Sequence, residues 1–410
     1  MHLKENQYYI GNVPVLEICR EFGTPVYVYN GNTIVEKLHI LQDAFASVPV
    51  KIKYAAKALT NISVLKLLKK EGAGLDTVSI QESRIGLLAG FAAEDIMYTP
   101  NCVSFDEIEE AIELGLGINL DNIPMLEHLG KTYGSNVPCA IRLNPHIVAG
   151  GNTKIQVGHK YSKFGISVEQ MPQVMEVVQK YKLNINGLHI HTGSDIKDAD
   201  VFLQTASILF DLGMQFPNLK FINFGGGFKV PYKPGDHTTN MKELGRKLSD
   251  AFLSFCKRYG KTLELWFEPG KFLVSEAGYL LVKTNVIKQT PTTVFVGVDS
   301  GMNHLIRPMM YDAYHDILNV SNPEGATKEY NVVGYICETD TIGANRTLDE
   351  VREGDILAIK NAGAYGFSMS SNYNSRLRPA EVLVYNGLAK LIRRREELDD
   401  LLKNQVAADF

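Results

Sequence analysis

The sequence predicts an α/β protein: a (β/α)8 barrel of the TIM type, followed by a C-terminal all-β domain that also takes one N-terminal strand. Three observations predict this. From about residue 50 to residue 270, short apolar runs ending in a polar residue or glycine alternate with helical stretches. Eight such strand–helix units in one series favour a closed barrel over an open doubly wound sheet. After about residue 275 the helical stretches stop and strand-like runs follow one another.

The strands read, in order, as Lys51–Lys57, Gly74–Val78, Ile96–Thr99, Gly117–Leu120, Cys139–Asn144, Ile185–His191, Phe221–Phe224 and Leu263–Glu268. Each is too short for a helix and is flanked by turn residues. Three helix starts carry the pattern of a capping box: Ser79-Ile-Gln-Glu82, Ser104-Phe-Asp-Glu107 and Ser167-Val-Glu-Gln170. In such a box the serine and the residue three positions later satisfy each other's free backbone N–H groups. The connection from Pro145 to Gly165 is long for a barrel and contains Gly150-Gly151-Asn152, so it reads as a mobile or interface loop.

The runs YLLVKTNVIKQ, TTVFVGV, EYNVVGYIC, GDILAIKN and AEVLVYNG then read as strands, and Ala389–Asn404 as a charged surface helix. The segment TPVYVYN near the start supplies a strand to this part. The boundaries are 28–275 for the barrel, with 1–27 and 276–410 for the β domain.

Composition excludes several classes. Hydrophobic residues are 45% of the 410, enough for a large core. Lys and Arg number 42 against 46 Asp and Glu, a net charge of −4, so there is no electrostatic footprint for nucleic acid. No apolar run is long enough to cross a membrane, and the start lacks the plan of a signal peptide. The five cysteines are scattered without a CxxC pair, which points to a reduced, cytoplasmic chain without a disulfide frame or zinc site.

A barrel of this kind works at the C-terminal ends of its strands. Lys57 ends the first strand, and desolvation in the mouth would favour the free amine that attacks an aldehyde. From the strand alone, a surface lysine at a strand end is the commoner reading. Asp76 lies on the second strand and Arg142 on the fifth. His189 and His191 end the sixth, followed by Gly193-Ser194. Gly225, Gly226 and Gly227 follow the seventh, where barrels often bind phosphate, although most glycine runs are turns. Glu268 ends the eighth. It could hold a proton on a ring nitrogen, or be a salt-bridged core glutamate. The pair His189 and His191 lacks a third ligand at a fitting spacing, so no metal is assigned. An amine for an aldehyde, a phosphate cradle, a histidine for a flat ring and a carboxylate for a ring nitrogen together fit pyridoxal 5′-phosphate.

At these residues the chain resembles the fold-type III pyridoxal-phosphate-dependent decarboxylases. The matching stretches are YAAKAL around Lys57, SKFG at Ser162–Gly165, HTGS at His191–Ser194, GGGF at Gly225–Phe228 and EPG at Glu268–Gly270. In the β domain they are Asp299–His315, CET at Cys337–Thr339, and Asn361–Val384. The resemblance implies that Lys57 bonds to the cofactor aldehyde, His191 stacks on the ring, and Glu268 holds the ring nitrogen. Gly225–Gly227, Ser194 and Tyr365 would hold the phosphate, with Asp76, Arg142, Gly270 and Lys271 also at the cofactor. Arg307 and Tyr311, with Lys271 and Tyr365 beside them, would bind the far carboxylate of the substrate, and Glu338 its far ammonium. Cys337 would return a proton after carbon dioxide leaves. The implied reaction is decarboxylation of meso-diaminopimelate to L-lysine, the last step of lysine biosynthesis, by a homodimer whose active sites are shared.

The chain departs from the family pattern twice. Lys271 stands where the family usually has arginine, and the segment after Thr339 is one residue short. Alternatives within the family are enzymes acting on ornithine, arginine or a carboxylated polyamine. A catalytically silent regulator is the alternative outside enzymes, and the presence of Lys57, Gly225–Gly227 and Glu268 argues against it.

Overall fold

The computed structural model describes residues 1–147 and 158–410. The chain forms two compact units. One takes Met1–Ile34, Tyr232–Asp236 and Val274–Phe410, and the other takes Val35–Pro231 and His237–Leu273.

The second unit is the barrel. Its eight parallel strands are Val50–Ala55, Gly74–Thr77, Ile96–Tyr98, Gly117–Leu120, Cys139–Asn144, Ile185–Ile190, Phe221–Asn223 and Glu264–Phe267. The eighth pairs with the first, Phe267 opposite Ile52, which closes the cylinder. A short strand, Ile166–Ser167, pairs beside the C-terminal end of the fifth. All eight sequence-read strands are present, each within two residues at either end. Gly150–Asn152 lies outside the described residues.

The inside of the barrel is built in layers two residues apart, because alternate residues of a strand share a face. The lower layer is apolar: Met97, Ala140, Phe221 and Trp266 pack as one cluster, with the Phe221 and Trp266 rings stacked at 3.6 Å. On three other strands this layer has glycine. A Cβ on Gly187 would lie 2.2 Å from the Phe221 ring, one on Gly117 3.0 Å from Met97 Cε, and one on Gly74 3.1 Å from Lys53 Cγ. The large side chains fill the space the glycines leave. Two residues further along the same strands come Asp76, Thr99, Asn119, Arg142, His189, Asn223 and Glu268, every one of them buried. The floor therefore sets a polar layer at the C-terminal end of the strands.

The helix starts correct two expectations. Ser79 does accept from Glu82 N at 3.2 Å, while the Glu82 carboxylate takes the N–H of Val78 at 2.9 Å. Ser104 makes no side-chain cap, because Glu107 is drawn to the Tyr98 hydroxyl instead. Ser167 caps only a 3-10 turn, Val168–Gln170, and the helix begins at Met171 without a side-chain cap. Asparagines do much of this capping: Asn61, Asn122 and Asn240 each accept a first-turn N–H.

The first unit is a nine-stranded sheet arrangement. Its spine runs Thr341–Asp349, Thr327–Val333, Val294–Val298, Gly278–Gln289, Val26–Asn30, Ala380–Tyr385 and Leu388–Arg393. Val26–Asn30 is hydrogen-bonded on both edges, antiparallel to Gly278–Leu281 and parallel to Ala380–Val384. The strand read from TPVYVYN therefore sits wholly in the sheet, and this unit runs on to Ile34, past the boundary at 27. The run YYI joins a separate meander of His2–Lys4, Gln7–Ile10 and Val13–Pro14.

The charged tail read as one helix from 389 to 404 is a strand, Leu388–Arg393, and then a short helix, Leu398–Leu402. Asn386 and Gly387 both have positive φ, 50° and 78°, the backbone of a tight two-residue hairpin. That turn folds the tail back onto Ala380–Tyr385 and overrides its helical composition.

Candidate active site

The barrel mouth gathers the residues expected there. Lys57 lies just past the first strand in a 3-10 turn, Ala56–Ala58. Its ammonium pairs with Asp76 Oδ2 at 3.1 Å, and its side chain is 42% exposed. The amine is thus accessible and ion-paired, which corrects the expectation of a desolvated lysine. The desolvated one is Lys53, four residues earlier. It is buried in the floor, donates to Asp95 O at 2.8 Å and sits 4.4 Å from the Trp266 ring centroid. Burial pushes its pKa down to about 8.

Asp76 is pushed up to about 6, first by burial and then by the charge of Glu268, with Lys57 pulling the other way. Its other oxygen, Oδ1, is buried without a hydrogen-bond partner among the described residues. A carboxyl whose pKa in the fold lies above its ordinary 3.8 stabilises fully below that value. The contribution is lost as pH rises through about 6. Asp76→Asn keeps the shape and removes the charge, and it leaves Lys57 with access to water. Thermal melts of cofactor-free protein should therefore show the variant gaining Tm relative to wild type at pH 8 and not at pH 4. An equal difference at both pH values would contradict the assignment.

Glu268 is held on one side by Asn223, whose Nδ2 donates to Oε1 at 2.5 Å. On the other side His189 Nε2 lies 3.3 Å from Oε2. Burial raises the Glu268 pKa, opposed by Lys57, Asn223 and Arg142. No lysine or arginine is bonded to it among the described residues. Arg142 is buried with its guanidinium 4.7 Å from the Phe164 ring centroid.

The three glycines are required by close approach. A Cβ on Gly225 would lie 2.8 Å from His191 Nδ1, one on Gly226 2.6 Å from Glu268 O, and one on Gly227 2.4 Å from Gly193 O. Gly225 and Gly227 also have positive φ, 63° and 100°. Two of the three N–H groups are engaged: Gly225 N donates to Asn223 Oδ1 at 2.8 Å and Gly226 N to His191 Nδ1 at 3.3 Å. The loop thus has fewer donors to offer than its three glycines suggested. Its second service is to bring the His191 ring against the backbone. Burial, with Arg142 and Lys57, keeps His191 neutral. Ser194 is half-buried beside Asp195, and Gly270 accepts from Leu273 N at 3.2 Å. Lys271 is buried and pairs with Asp195 at 2.8 Å, and Lys229 reaches the same carboxylate at 3.9 Å.

The remaining candidates belong to the sheet unit. Arg307 opens the five-residue helix Arg307–Tyr311, is 8% exposed, and lies 5.3 Å from the Tyr232 ring centroid with its Nε unpartnered. Tyr311 is half-exposed. Cys337 is exposed in the loop after Thr327–Val333, so the strand read as EYNVVGYIC stops before it. Glu338 is exposed and accepts from the Tyr373 hydroxyl at 2.7 Å. The loop after Cys337 is tied down by Asp340, whose carboxylate takes the N–H groups of Met302 at 2.6 Å and Ile336 at 2.9 Å. Tyr365 has φ 56° and is half-buried. Next to it Gly363 is obligatory, since a Cβ there would meet Val274 O at 1.8 Å. Sequence reading missed Asn119, Asn223, Asp195, Asp340 and Tyr373. The first two could have been found as polar residues in the layer two positions above the apolar floor.

The mouth therefore fits pyridoxal phosphate: an accessible amine, two buried carboxylates, a neutral imidazole against a glycine loop, and a buried carboxylate oxygen without a partner. Comparison with known proteins agrees. Residues 31–275 match the family described as pyridoxal-dependent decarboxylase, pyridoxal binding domain. A diaminopimelate decarboxylase of Methanothermobacter thermautotrophicus is 38% identical over 97% of this chain and 95% of its own. The crystal structure of diaminopimelate decarboxylase from Methanocaldococcus jannaschii has a TM-score of 0.91 at 33% identity, covering 99% of this chain and 98% of that one. The Helicobacter pylori diaminopimelate decarboxylase, solved with L-lysine, has a TM-score of 0.87 at 30% identity, covering 95% and 98%. The chain belongs to the pyridoxal-dependent decarboxylases and, within them, to the diaminopimelate decarboxylase family. It is a carboxy-lyase. Among the described residues no helix is long and apolar enough to cross a membrane.

Proposed function

We infer that the protein decarboxylates meso-diaminopimelate to L-lysine and carbon dioxide, using pyridoxal phosphate in the barrel mouth. The observation that carries this is the arrangement of two carboxylates. Asp76 is spent on the Lys57 amine, whereas Glu268 is held by neutral partners, so its charge is available to a ring nitrogen. Bound there, pyridoxal phosphate supplies an electron sink for the pair left on Cα when carbon dioxide departs.

The residues have these proposed roles. Lys57 would hold the cofactor through its aldehyde, with Asp76 keeping the lysine in place. Glu268 holds a proton at the ring nitrogen. His191, held by the Gly226 N–H, would stack on the ring. The glycine loop, Ser194 and Tyr365 take the phosphate. Arg142 and Gly270 line the cofactor site. Lys271, fixed by Asp195, adds positive charge beside the loop. Arg307 and Tyr311 take the far carboxylate, Glu338 the far ammonium, and Cys337 delivers a proton to Cα. A far end bearing both a carboxylate and an ammonium calls for a cation and an anion together, which favours diaminopimelate over ornithine or arginine.

The test is carbon dioxide release from diaminopimelate, ornithine, arginine and lysine by purified protein. Turnover of diaminopimelate at least about tenfold faster than the others is expected, a margin of about 1.4 kcal/mol in transition-state binding. Preference for ornithine would refute the substrate.

The working form is proposed to be a cytoplasmic homodimer in which Cys337 and Glu338 serve the partner's barrel. Both are exposed at the tip of a loop in the single chain, and the family resemblance points the same way. Lys57→Ala and Cys337→Ala should each be nearly inactive alone. Mixed after dissociation they should regain activity, because a heterodimer holds one site with neither lesion. Absence of recovery after demonstrated subunit exchange would refute the shared site.

A further inference from the structure

His189 is the one member of the HIH pair that the reading above leaves without a role. It is 1% exposed, and its Nε2 is buried with no hydrogen-bond partner that meets full geometry, 3.3 Å from Glu268 Oε2. Its other nitrogen, Nδ1, lies 2.7 Å from Asn119 Nδ2. The same amide nitrogen donates to Thr99 Oγ1 at 3.3 Å.

The direction of this chain follows from its ends. A carboxylate only accepts, so the ring nitrogen that faces Glu268, Nε2, is the one to carry the proton. The NH2 of Asn119 donates to Thr99 Oγ1. That NH2 also faces His189 Nδ1, so Nδ1 is the acceptor and the ring proton sits on Nε2. The opposite tautomer would set a lone pair against the Glu268 carboxylate. Burial, with the charges of Arg142 and Lys57, keeps the ring neutral. A protonated ring would consume the Glu268 charge in an ion pair, whereas a neutral donor orients the carboxylate and leaves that charge available.

We propose that His189, its tautomer fixed by Asn119 and Thr99, is a positioning residue for Glu268, donating from Nε2 to Oε2 so that the carboxylate presents its charge to the ring nitrogen. The proposal rests on the reading of Glu268 as the partner of that nitrogen. The layered barrel explains why His189 can do this. Gly187 on the same strand yields its space to Phe221, and the next inward position is level with Asn119 and Glu268.

The test uses holoenzyme loaded with cofactor labelled with 15N in the ring. Its readouts are the 15N shift of the ring nitrogen and the cofactor dissociation constant. Glu268→Gln should move the shift from the pyridinium toward the neutral pyridine range. His189→Asn keeps a contact to Asn119 but is too short to reach Glu268. It should move the shift in the same direction and weaken cofactor binding roughly tenfold to hundredfold, the loss of a hydrogen bond to a charged group. The double variant should be no worse than Glu268→Gln alone, because both act through one carboxylate. His189→Gln, whose amide can still donate to Oε2, should keep the shift near that of wild type, and it carries the test alone if His189→Asn does not fold. A wild-type shift in His189→Asn, full additivity in the double variant, or a shift in His189→Gln as large as that of Glu268→Gln overturns the proposal. No change of shift in Glu268→Gln would overturn it together with the reading of Glu268, which separates the two failures.

Discussion

Lys57→Ala should lose activity by more than about 10⁴-fold, combining loss of covalent attachment with loss of a positioned proton-transfer group. The geometry explains why no neighbour replaces it. Lys53 is buried in the floor and donates to Asp95 O. Lys271 is bound to Asp195, and Arg142 cannot serve as an amine. The variant should still fold, since the Lys57 side chain is 42% exposed and ends in a mouth, not a packed core. Far-UV and near-UV circular dichroism should match wild type while the visible absorbance at about 420 nm, expected of lysine-bound cofactor, disappears. Activity within tenfold of wild type would mean that another amine does the work.

Arg307→Met should lower kcat/KM for diaminopimelate by about 30-fold or more. A charge pair taken out of water leaves its survivor unpaired when one member is removed, at about 2–5 kcal/mol. Arg307 is 8% exposed and its Nε has no hydrogen-bond partner among the described residues, which suits a fork for an anion. Methionine keeps the apolar length beside the Tyr232 ring, so the loss should fall on binding and not on folding. Slow turnover of ornithine, which lacks the far carboxylate, should change little, and cofactor absorbance should stay intact. Equal losses on both substrates would place Arg307 in the scaffold instead.

The barrel was legible because its strands are short, apolar and ended by turn residues, and because the layer rule places every second residue inward. What composition could not show was set by partners far apart in sequence. Glu107 leaves its capping box for the hydroxyl of Tyr98, and Lys57 meets Asp76 nineteen residues on. The tail from 389 has helical composition, yet the hairpin turn at Asn386-Gly387 pulls it into the sheet. The strands Ile317–Asn319 and Thr341–Asp349 carried too little alternation to be read. In the mouth, ends of strands with chemically distinctive residues stood out: Lys57, Glu268 and the glycine run. The amides Asn119 and Asn223 did not, because their function depends on which acceptor the fold places 2.5–2.7 Å away. The place of Lys271 becomes intelligible only beside Asp195, a neighbour that no spacing in the sequence announces.

The central claim is that pyridoxal phosphate is carried by Lys57 at the mouth of this barrel. Borohydride reduction of the holoenzyme followed by peptide mapping tests it most directly. The account predicts a single pyridoxyl group on the peptide containing Lys57, at about one per chain. A label on Lys53, at the opposite layer of the barrel, or on Lys271 would contradict it.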